Sequence, residues 1–147
     1  MTPLLAVHAA ATWAMVGIIW FVQRVHYPLL GGPGRADGAG FAAYQRANTH
    51  RTTWVVLPPM AVEALTAVAL VASPPTGVPR AVTGSGLALV AAIWLSTALL
   101  QVPRHEALAR GYDPDAHRVL VASNWLRTIA WSARGVLVLW MVLRAAA

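Results

Sequence analysis

The chain has 147 residues, of which 58% are hydrophobic and only 11% are charged, and its formal net charge is +6. Soluble domains carry about 25% charged residues, so this composition is typical of a membrane protein, and the length fits a single domain. The sequence contains no cysteine, which excludes disulfides and thiolate metal sites, and its arginines form no basic run, so no nucleic-acid partner is expected.

Four segments are long and apolar enough to cross a bilayer as helices, because a span needs about 20 mostly apolar residues. We predict spans at about 3–26, 54–73, 81–102 and 119–143. The predicted fold is therefore all-α, an antiparallel four-helix transmembrane bundle in which residues 1–147 form one integral-membrane domain. All basic residues are arginine, which is typical of GC-rich bacterial coding, so we expect a multi-pass protein of the bacterial cytoplasmic (inner) membrane.

The three connections between the spans have different predicted structures. Residues 31–40 are rich in glycine and are expected to form a flexible linker, followed by a short interfacial helix at 41–53. Residues 74–79 are rich in proline and predict a turn. In the third connection, 105–117, Asp113 is expected to be an N-cap, with Pro114 at the first helical position.

The distribution of arginines predicts the orientation of the bundle. Cytoplasmic loops of membrane proteins carry an excess of basic residues. One side of the predicted bundle holds Arg24, Arg35, Arg46, Arg51, Arg104, Arg110 and Arg118, and the other holds Arg80 and Arg144. Both termini are therefore expected on the non-cytoplasmic side.

Each predicted helix carries polar residues at helical spacing, which places them on one face. Because lipid cannot satisfy polar groups, these faces are expected to turn toward the interior of the bundle. The four polar faces contain His8, Thr12, Gln23 and His26; Pro59, Glu63 and Thr66; Trp94, Thr97, Gln101 and His105; and Asn124, Arg127, Trp131 and Arg134.

Glu63 lies near the middle of the second span and is predicted to pair with Arg127 or Arg134, since an unpaired charge there costs about 2.5–3.5 kcal/mol. Two interpretations follow. Either the pair only holds the helices together, or Glu63 is an acid/base or binding group whose protonation the arginine adjusts. This pairing leaves one arginine without an acidic partner. Its charge would be stabilised by a ligand with a carboxylate, phenolate or quinone-like oxygen, by a lipid phosphate, or by snorkelling to the interface.

Four histidines are expected at the cytoplasmic ends of the spans: His26, His50, His105 and His117. Imidazole is a common ligand of transition metals and of haem iron, so these residues would form the site if a metal or haem is present. The sequence requires no cofactor, and the alternative is that the histidines are solvated at the interface. The favoured functional pair is His26 and His50, with Tyr44 and Arg51 as secondary candidates.

Two short motifs carry a resemblance to known families. His26-Tyr27-Pro28, the glycine-rich segment after it and Phe41-Ala42-Ala43-Tyr44 resemble small four-helix membrane proteins of the anthrone-oxygenase-like kind. More distantly, the stretch from His8 to His26 with Trp13 and Trp20 is similar to the start of small membrane protoporphyrinogen oxidases. The second resemblance implies a haem-ligating role for His8, although the later-helix lysine of that family has no counterpart here. Together they imply a membrane oxidoreductase acting on an aromatic or quinone-like molecule.

Three functional hypotheses remain open at this stage. The first is an oxidoreductase or oxygenase with a buried polar pocket opening to the cytoplasmic leaflet, acting on a hydrophobic aromatic or quinone-like small molecule. The second is an accessory subunit or assembly factor of a larger photosynthetic or respiratory complex, bound to other membrane subunits or to a second copy. The third is a haem or metal carrier.

For the enzyme hypothesis, the polar residues divide into two roles. The expected proton-transfer residues are Glu63, His50 and His26. The expected substrate-binding residues are Arg127, Asn124, Gln101, Gln23, Arg134, Trp131, Tyr44 and Arg51.

Overall fold

The computed structural model describes residues 2–147, apart from the side chain of Ala39, and this part of the chain is helical and contains no strand. Four long helices are apolar enough to cross a membrane. The elements are α1 (Pro3–Phe21), a first π-helical turn (Val22–His26), α2 (Tyr27–Ala36), α3 (Gly38–Ala72), α4 (Arg80–Ser96), a second π-helical turn (Thr97–Gln101), α5 (Val102–Arg110) and α6 (Pro114–Ala146). The first three elements form one continuous helix, and so do α4, the second π-helical turn and α5.

The helix ends are set by local chemistry. Asp113 accepts hydrogen bonds from the backbone N–H groups of Asp115 and Ala116 at 2.9 and 3.1 Å, and Pro114 begins α6, so the predicted N-cap is confirmed. The proline-rich turn between α3 and α4 is also confirmed. Its Gly77 has φ of +76°, a left-handed conformation that favours glycine because a Cβ would be strained there.

Each π-helical turn lies just before a proline, Pro28 or Pro103. Proline has no N–H, and its ring collides with the carbonyl four residues earlier, which in both cases lies inside the π-helical turn. The residue after each turn donates its N–H to the carbonyl five residues back, from Tyr27 to Val22 and from Val102 to Thr97. The wider turn therefore allows a continuous helix to pass the proline.

The glycine-rich segment after the first span is helical, so the predicted flexible linker at 31–40 is wrong. The reason is close packing: Gly34 is buried, and a Cβ there would lie 2.1 Å from the Tyr112 ring. A Cβ at Gly31 would lie 3.0 Å from the His117 ring. The segment 41–53, expected to be a separate interfacial helix, is the first part of the long helix α3, which begins at Gly38. The third connection is shorter than the expected 105–117, because α5 extends to Arg110 and α6 begins at Pro114.

This packing predicts that alanine substitutions at two glycines of α2 have very different effects on stability. Gly34→Ala is expected to lower the free energy of unfolding by about 1–3 kcal/mol, because the new methyl group displaces the Tyr112 ring. Gly32→Ala is the matched control, since a Cβ there meets nothing within 4 Å. Thermal unfolding in detergent measures both. Equal stability of the two variants would show that α2 does not pack on Tyr112.

The polar faces of the helices point into the bundle, as predicted. The buried polar side chains include His8, Thr12, Gln23, Glu63, Gln101, Asn124, Arg127 and Arg134. They lie among apolar core residues such as Met15, Ile19, Leu120 and Trp131, which are at most 1% exposed. Large apolar side chains also cover the outside of the helices, where lipid is the expected solvent.

Candidate functional site

Glu63 and Arg134 form an ion pair in the interior, with side chains only 2% and 1% exposed. The Arg134 Nε donates to Glu63 Oε1 at 2.8 Å, and the Trp131 indole N–H donates to the other carboxylate oxygen at 2.8 Å. Arg134 also donates to the Gly86 carbonyl and to His8 Nε2. Of the two partners predicted for Glu63, the structure therefore selects Arg134.

His8 belongs to the same network and has both ring nitrogens engaged. Its Nε2 accepts from Arg134 at 3.2 Å, so its Nδ1 carries the hydrogen and donates to Thr66 Oγ1 at 2.7 Å. The Thr66 hydroxyl in turn donates to the Val62 carbonyl at 2.7 Å. A chain of hydrogen bonds therefore connects the ion pair, through His8 and Thr66, to the backbone of α3.

Arg127 is the second buried arginine, and no acidic side chain pairs with it among the residues described. Its Nη1 donates to Asn124 Oδ1 at 3.1 Å, and Asn124 is held in turn by Gln23 at 2.9 Å. The guanidinium carbon lies 5.1 Å from the ring centroid of Trp131. The Arg127 Nε is buried without a hydrogen-bond partner within the described part of the chain.

Trp131 connects the two arginines. One end of its side chain donates to Glu63, and its ring supports the Arg127 guanidinium. A cation over a tryptophan ring gains about 0.5–2 kcal/mol, more when it is desolvated. The Glu63–Arg134 pair therefore fixes the surface on which Arg127 rests.

Arg127 lines a cavity of about 570 Å³ between the helices. Sites for small molecules measure about 300–1,000 Å³, so the cavity is large enough for a bicyclic ring compound. Its apolar wall contains Met15, Ile18, Ile19, Val22, Val56, Leu57, Met60, Trp94 and Val102. Its polar residues are His26, Tyr27, Arg46, Asn48, Thr49, His50, Thr52, Thr53, Thr97, Gln101, His105, Glu106 and Arg127.

Both π-helical turns contribute to this cavity, through His26 on one side and Thr97 and Gln101 on the other. A π-helical turn adds a residue to the helix and turns the side chains after it, and such turns are frequent at functional sites. Here the prolines behind the turns, Pro28 and Pro103, are the sequence signal that marks both walls of the cavity.

The cavity reaches the outer surface between α3 and the α4–α5 helix. Leu57, Trp94 and Val102 line it and are also 48%, 37% and 43% exposed. These side chains are apolar and lie within helices long enough to span a membrane. Arg46, His50, Thr53 and Glu106 also line the cavity and are exposed, so its opening has an apolar side and a polar side.

A chain of hydrogen bonds borders the polar part of the cavity. The Tyr27 hydroxyl and His105 Nε2 are 2.9 Å apart, and His105 Nδ1 lies 3.1 Å from the Gln45 amide nitrogen. That nitrogen also donates to Thr49 Oγ1 at 3.3 Å. Near it, Asn48 Nδ2 lies 3.3 Å from His26 Nε2.

The structure brings only some of the predicted site residues to the cavity. His26, His50, Gln101 and Arg127 line it. Behind the wall, the buried networks hold Glu63, Arg134, Trp131, Asn124 and Gln23. Tyr44 and Arg51 are exposed, and they are outside the set of described residues that line the cavity.

The four histidines do not converge on one point. In the part of the chain that the structure describes, no group of three or more histidine, aspartate or glutamate side chains is arranged to hold a metal ion. His117 bonds the Tyr27 carbonyl at 2.8 Å, and His50 accepts from the Trp54 indole at 3.3 Å. The conditional four-histidine metal site is therefore not formed among the described residues.

Sequence reasoning missed Tyr27 and Gln45 as site residues and considered His105 only as a metal ligand. Tyr27 was a member of the His-Tyr-Pro motif; it follows the first π-helical turn and is buried. Gln45 lies in the segment expected at the interface, but it belongs to α3 and is buried.

No family model, no curated protein and no solved structure matches this chain. The functional interpretation therefore depends on the cavity and on the charges around it.

Proposed function

We propose that this integral membrane protein binds a hydrophobic aromatic or quinone-like molecule in the cavity, with an oxygen of that molecule beside Arg127. One observation carries the proposal. Arg127 is 5% exposed, it has no acidic partner among the described residues, and it lines an apolar cavity large enough for such a molecule. A buried charge without a partner is costly, and a ligand oxygen would lower that cost.

A second part of the proposal concerns the orientation of the helix bundle in the membrane. We propose an antiparallel bundle with both termini on the non-cytoplasmic side of the bacterial inner membrane and with the cavity in the cytoplasmic leaflet. The distribution of arginines supports this arrangement. The contacts from His26 to Asn48 and from His117 to the Tyr27 carbonyl support the antiparallel part of the proposal, because they join the C-terminal part of the first long helix to the N-terminal parts of the second and the fourth.

The reaction is also part of the proposal. We propose an oxidoreductase or oxygenase, on the strength of the resemblance to anthrone-oxygenase-like proteins and of the histidines that line the cavity. In this proposal His26 and His50 move protons, and Arg127 and Gln101 hold the ligand oxygens. Glu63 is outside the set of described residues that line the cavity, so its own proton-transfer role stays a prediction. The subunit and haem-carrier alternatives stay hypotheses.

A blocking substitution tests the binding proposal. Val56→Trp is expected to lower the affinity for 1,4-naphthoquinone at least about 10-fold, because the indole fills space that a ligand of similar size needs. Val55→Trp is the matched control, since Val55 is the neighbouring residue, is 62% exposed, and does not line the cavity. Titration calorimetry of the purified protein in mild detergent measures both affinities.

Comparison of the two variants shows whether the quinone binds in the cavity. Loss of binding in Val56→Trp with normal binding in Val55→Trp would support the cavity as the site. If the wild-type protein does not bind the quinone, or if both variants bind it as the wild type does, the proposal is wrong.

A further inference from the structure

We infer that Tyr27 and Arg127 form a two-donor clamp for one acceptor oxygen of the ligand, and that His105 is the positioning residue for this clamp. The site would then select a quinone carbonyl or a phenolate oxygen over a hydrocarbon ring of the same size. This inference rests on the proposed function and names the ligand chemistry of the same cavity.

The first observation is the position of Tyr27. Its side chain is 5% exposed, it lines the cavity, and its hydroxyl is held by His105 at 2.9 Å. Arg127 lines the same cavity, so both groups border the space that the ligand would occupy.

The second observation is the direction of the hydrogen bonds. The Gln45 amide nitrogen lies within hydrogen-bond distance of His105 Nδ1 and of Thr49 Oγ1, which uses both of its hydrogens. This orientation leaves Gln45 Oε1 buried without a partner among the described residues, whereas the reverse orientation would place two N–H donors there, and unpaired buried donors are rarer than unpaired acceptors. His105 Nδ1 is therefore an acceptor.

The tautomer of His105 follows from this direction. A neutral imidazole that accepts at Nδ1 carries its hydrogen at Nε2, so Nε2 donates to the Tyr27 oxygen. The phenol oxygen of Tyr27 is thus an acceptor toward His105, and its own hydrogen is not used in that bond. This hydrogen is available to a ligand in the cavity.

The two groups at this wall therefore offer donors only. Tyr27 offers one O–H, and Arg127 lines the same cavity with a guanidinium of which only Nη1 donates to another side chain among the described residues. Each carboxylate oxygen of Glu63 already accepts a hydrogen bond, from Trp131 or Arg134, and Glu63 is outside the set of described residues that line the cavity; the carboxylate that lines it is that of Glu106. A ligand oxygen that accepts hydrogen bonds fits this wall, whereas a plain hydrocarbon would leave the donors buried and unpaired.

Three probes of one ring size test the clamp: naphthalene, 1,4-naphthoquinone and 1-naphthol above the pH at which it ionises. The wild-type protein is expected to bind the quinone and the naphtholate more tightly than naphthalene. Tyr27→Phe is expected to weaken binding of both oxygenated probes about 2- to 10-fold, the effect of one lost hydrogen bond. Binding of naphthalene should not change, because the phenyl ring keeps the shape of the wall.

The role of His105 has its own readout. His105→Leu removes the donor to Tyr27 and is expected to reproduce most of the Tyr27→Phe effect. His105→Gln keeps an amide N–H near the position of Nε2 and is expected to restore binding of the quinone. Rescue by glutamine and not by leucine distinguishes positioning of the hydroxyl from simple packing.

The experiment also separates this inference from the proposed function. If the wild-type protein binds none of the three probes, the proposed function fails and the clamp fails with it. If the wild-type protein binds all three equally, or if Tyr27→Phe keeps the preference for oxygenated probes, the cavity is a binding site but the clamp is wrong.

Discussion

Glu63→Gln is expected to lower the free energy of unfolding by about 3–5 kcal/mol, the cost of leaving one partner of a buried ion pair alone. Arg134 would keep its charge, because a guanidinium does not lose its proton in proteins. It would retain its bonds to Gly86 and His8, but neither group carries a compensating negative charge. Chemical or thermal unfolding in detergent measures the loss.

Removal of the other partner, in Arg134→Gln, is expected to lower the free energy of unfolding by less than Glu63→Gln does. In Arg134→Gln, Glu63 is able to take up a proton and become neutral while it keeps the hydrogen bond from Trp131. The double variant should be more stable than the sum of the two single losses indicates, because it leaves neither charge alone.

An exposed ion pair provides the matched control. Asp115 and Arg118 lie 2.6 Å apart, and their side chains are 79% and 76% exposed. Asp115→Asn is expected to change the free energy of unfolding by no more than about 1 kcal/mol. A Glu63→Gln variant as stable as this control would contradict the view that the buried pair holds the bundle together.

Arg127→Gln is expected to have opposite effects on stability and on binding. Arg127 has no acidic partner among the described residues, so relief of its unpaired buried charge should offset or outweigh the lost contacts with Asn124 and Trp131, and the stability should stay unchanged or rise by about 1 kcal/mol. The same change should weaken binding of a naphthoquinone about 10- to 100-fold, because it removes a charged donor to the ligand oxygen. Unfolding and titration of the same preparation measure both effects.

The matched comparison is Arg134→Gln, an arginine one helical repeat further along the same face of α6. Arg134→Gln should lower the free energy of unfolding. It should weaken quinone binding less than Arg127→Gln does, because Arg134 does not line the cavity. If Arg127→Gln unfolds as easily as Arg134→Gln, Arg127 is a structural residue and not a ligand-binding one.

The four helices and their buried polar faces could be predicted from the sequence, because both depend on local rules. An apolar run of about 20 residues predicts a span, and helical spacing places Asn124, Arg127, Trp131 and Arg134 on one face. The partner of Glu63 could not be predicted. Arg127 and Arg134 lie on the same face of α6, and only the relative height of α3 and α6 decides between them.

The glycine-rich segment shows why a composition rule fails in a packed bundle. Glycine runs are flexible where nothing packs on them. Here Tyr112 and His117 lie against Gly31 and Gly34, so the absence of a side chain allows close contact and α2 stays helical.

The cavity itself is a product of tertiary structure. The sequence contained the two prolines, Pro28 and Pro103, but not the fact that the π-helical turns before them face each other across one space. Tyr27 was therefore seen only as part of a motif, and its contact with His105 joins residues that are 78 positions apart.

The central claim is that the cavity holds a lipid-soluble molecule whose oxygen lies beside Arg127. Native mass spectrometry of the protein purified in mild detergent, with chemical identification of any released molecule, tests it most directly. We expect the wild-type protein to carry a small oxygen-containing ring compound that Arg127→Gln and Val56→Trp lack. A wild-type protein that carries no such molecule, or variants that carry it at the same occupancy, would contradict the claim.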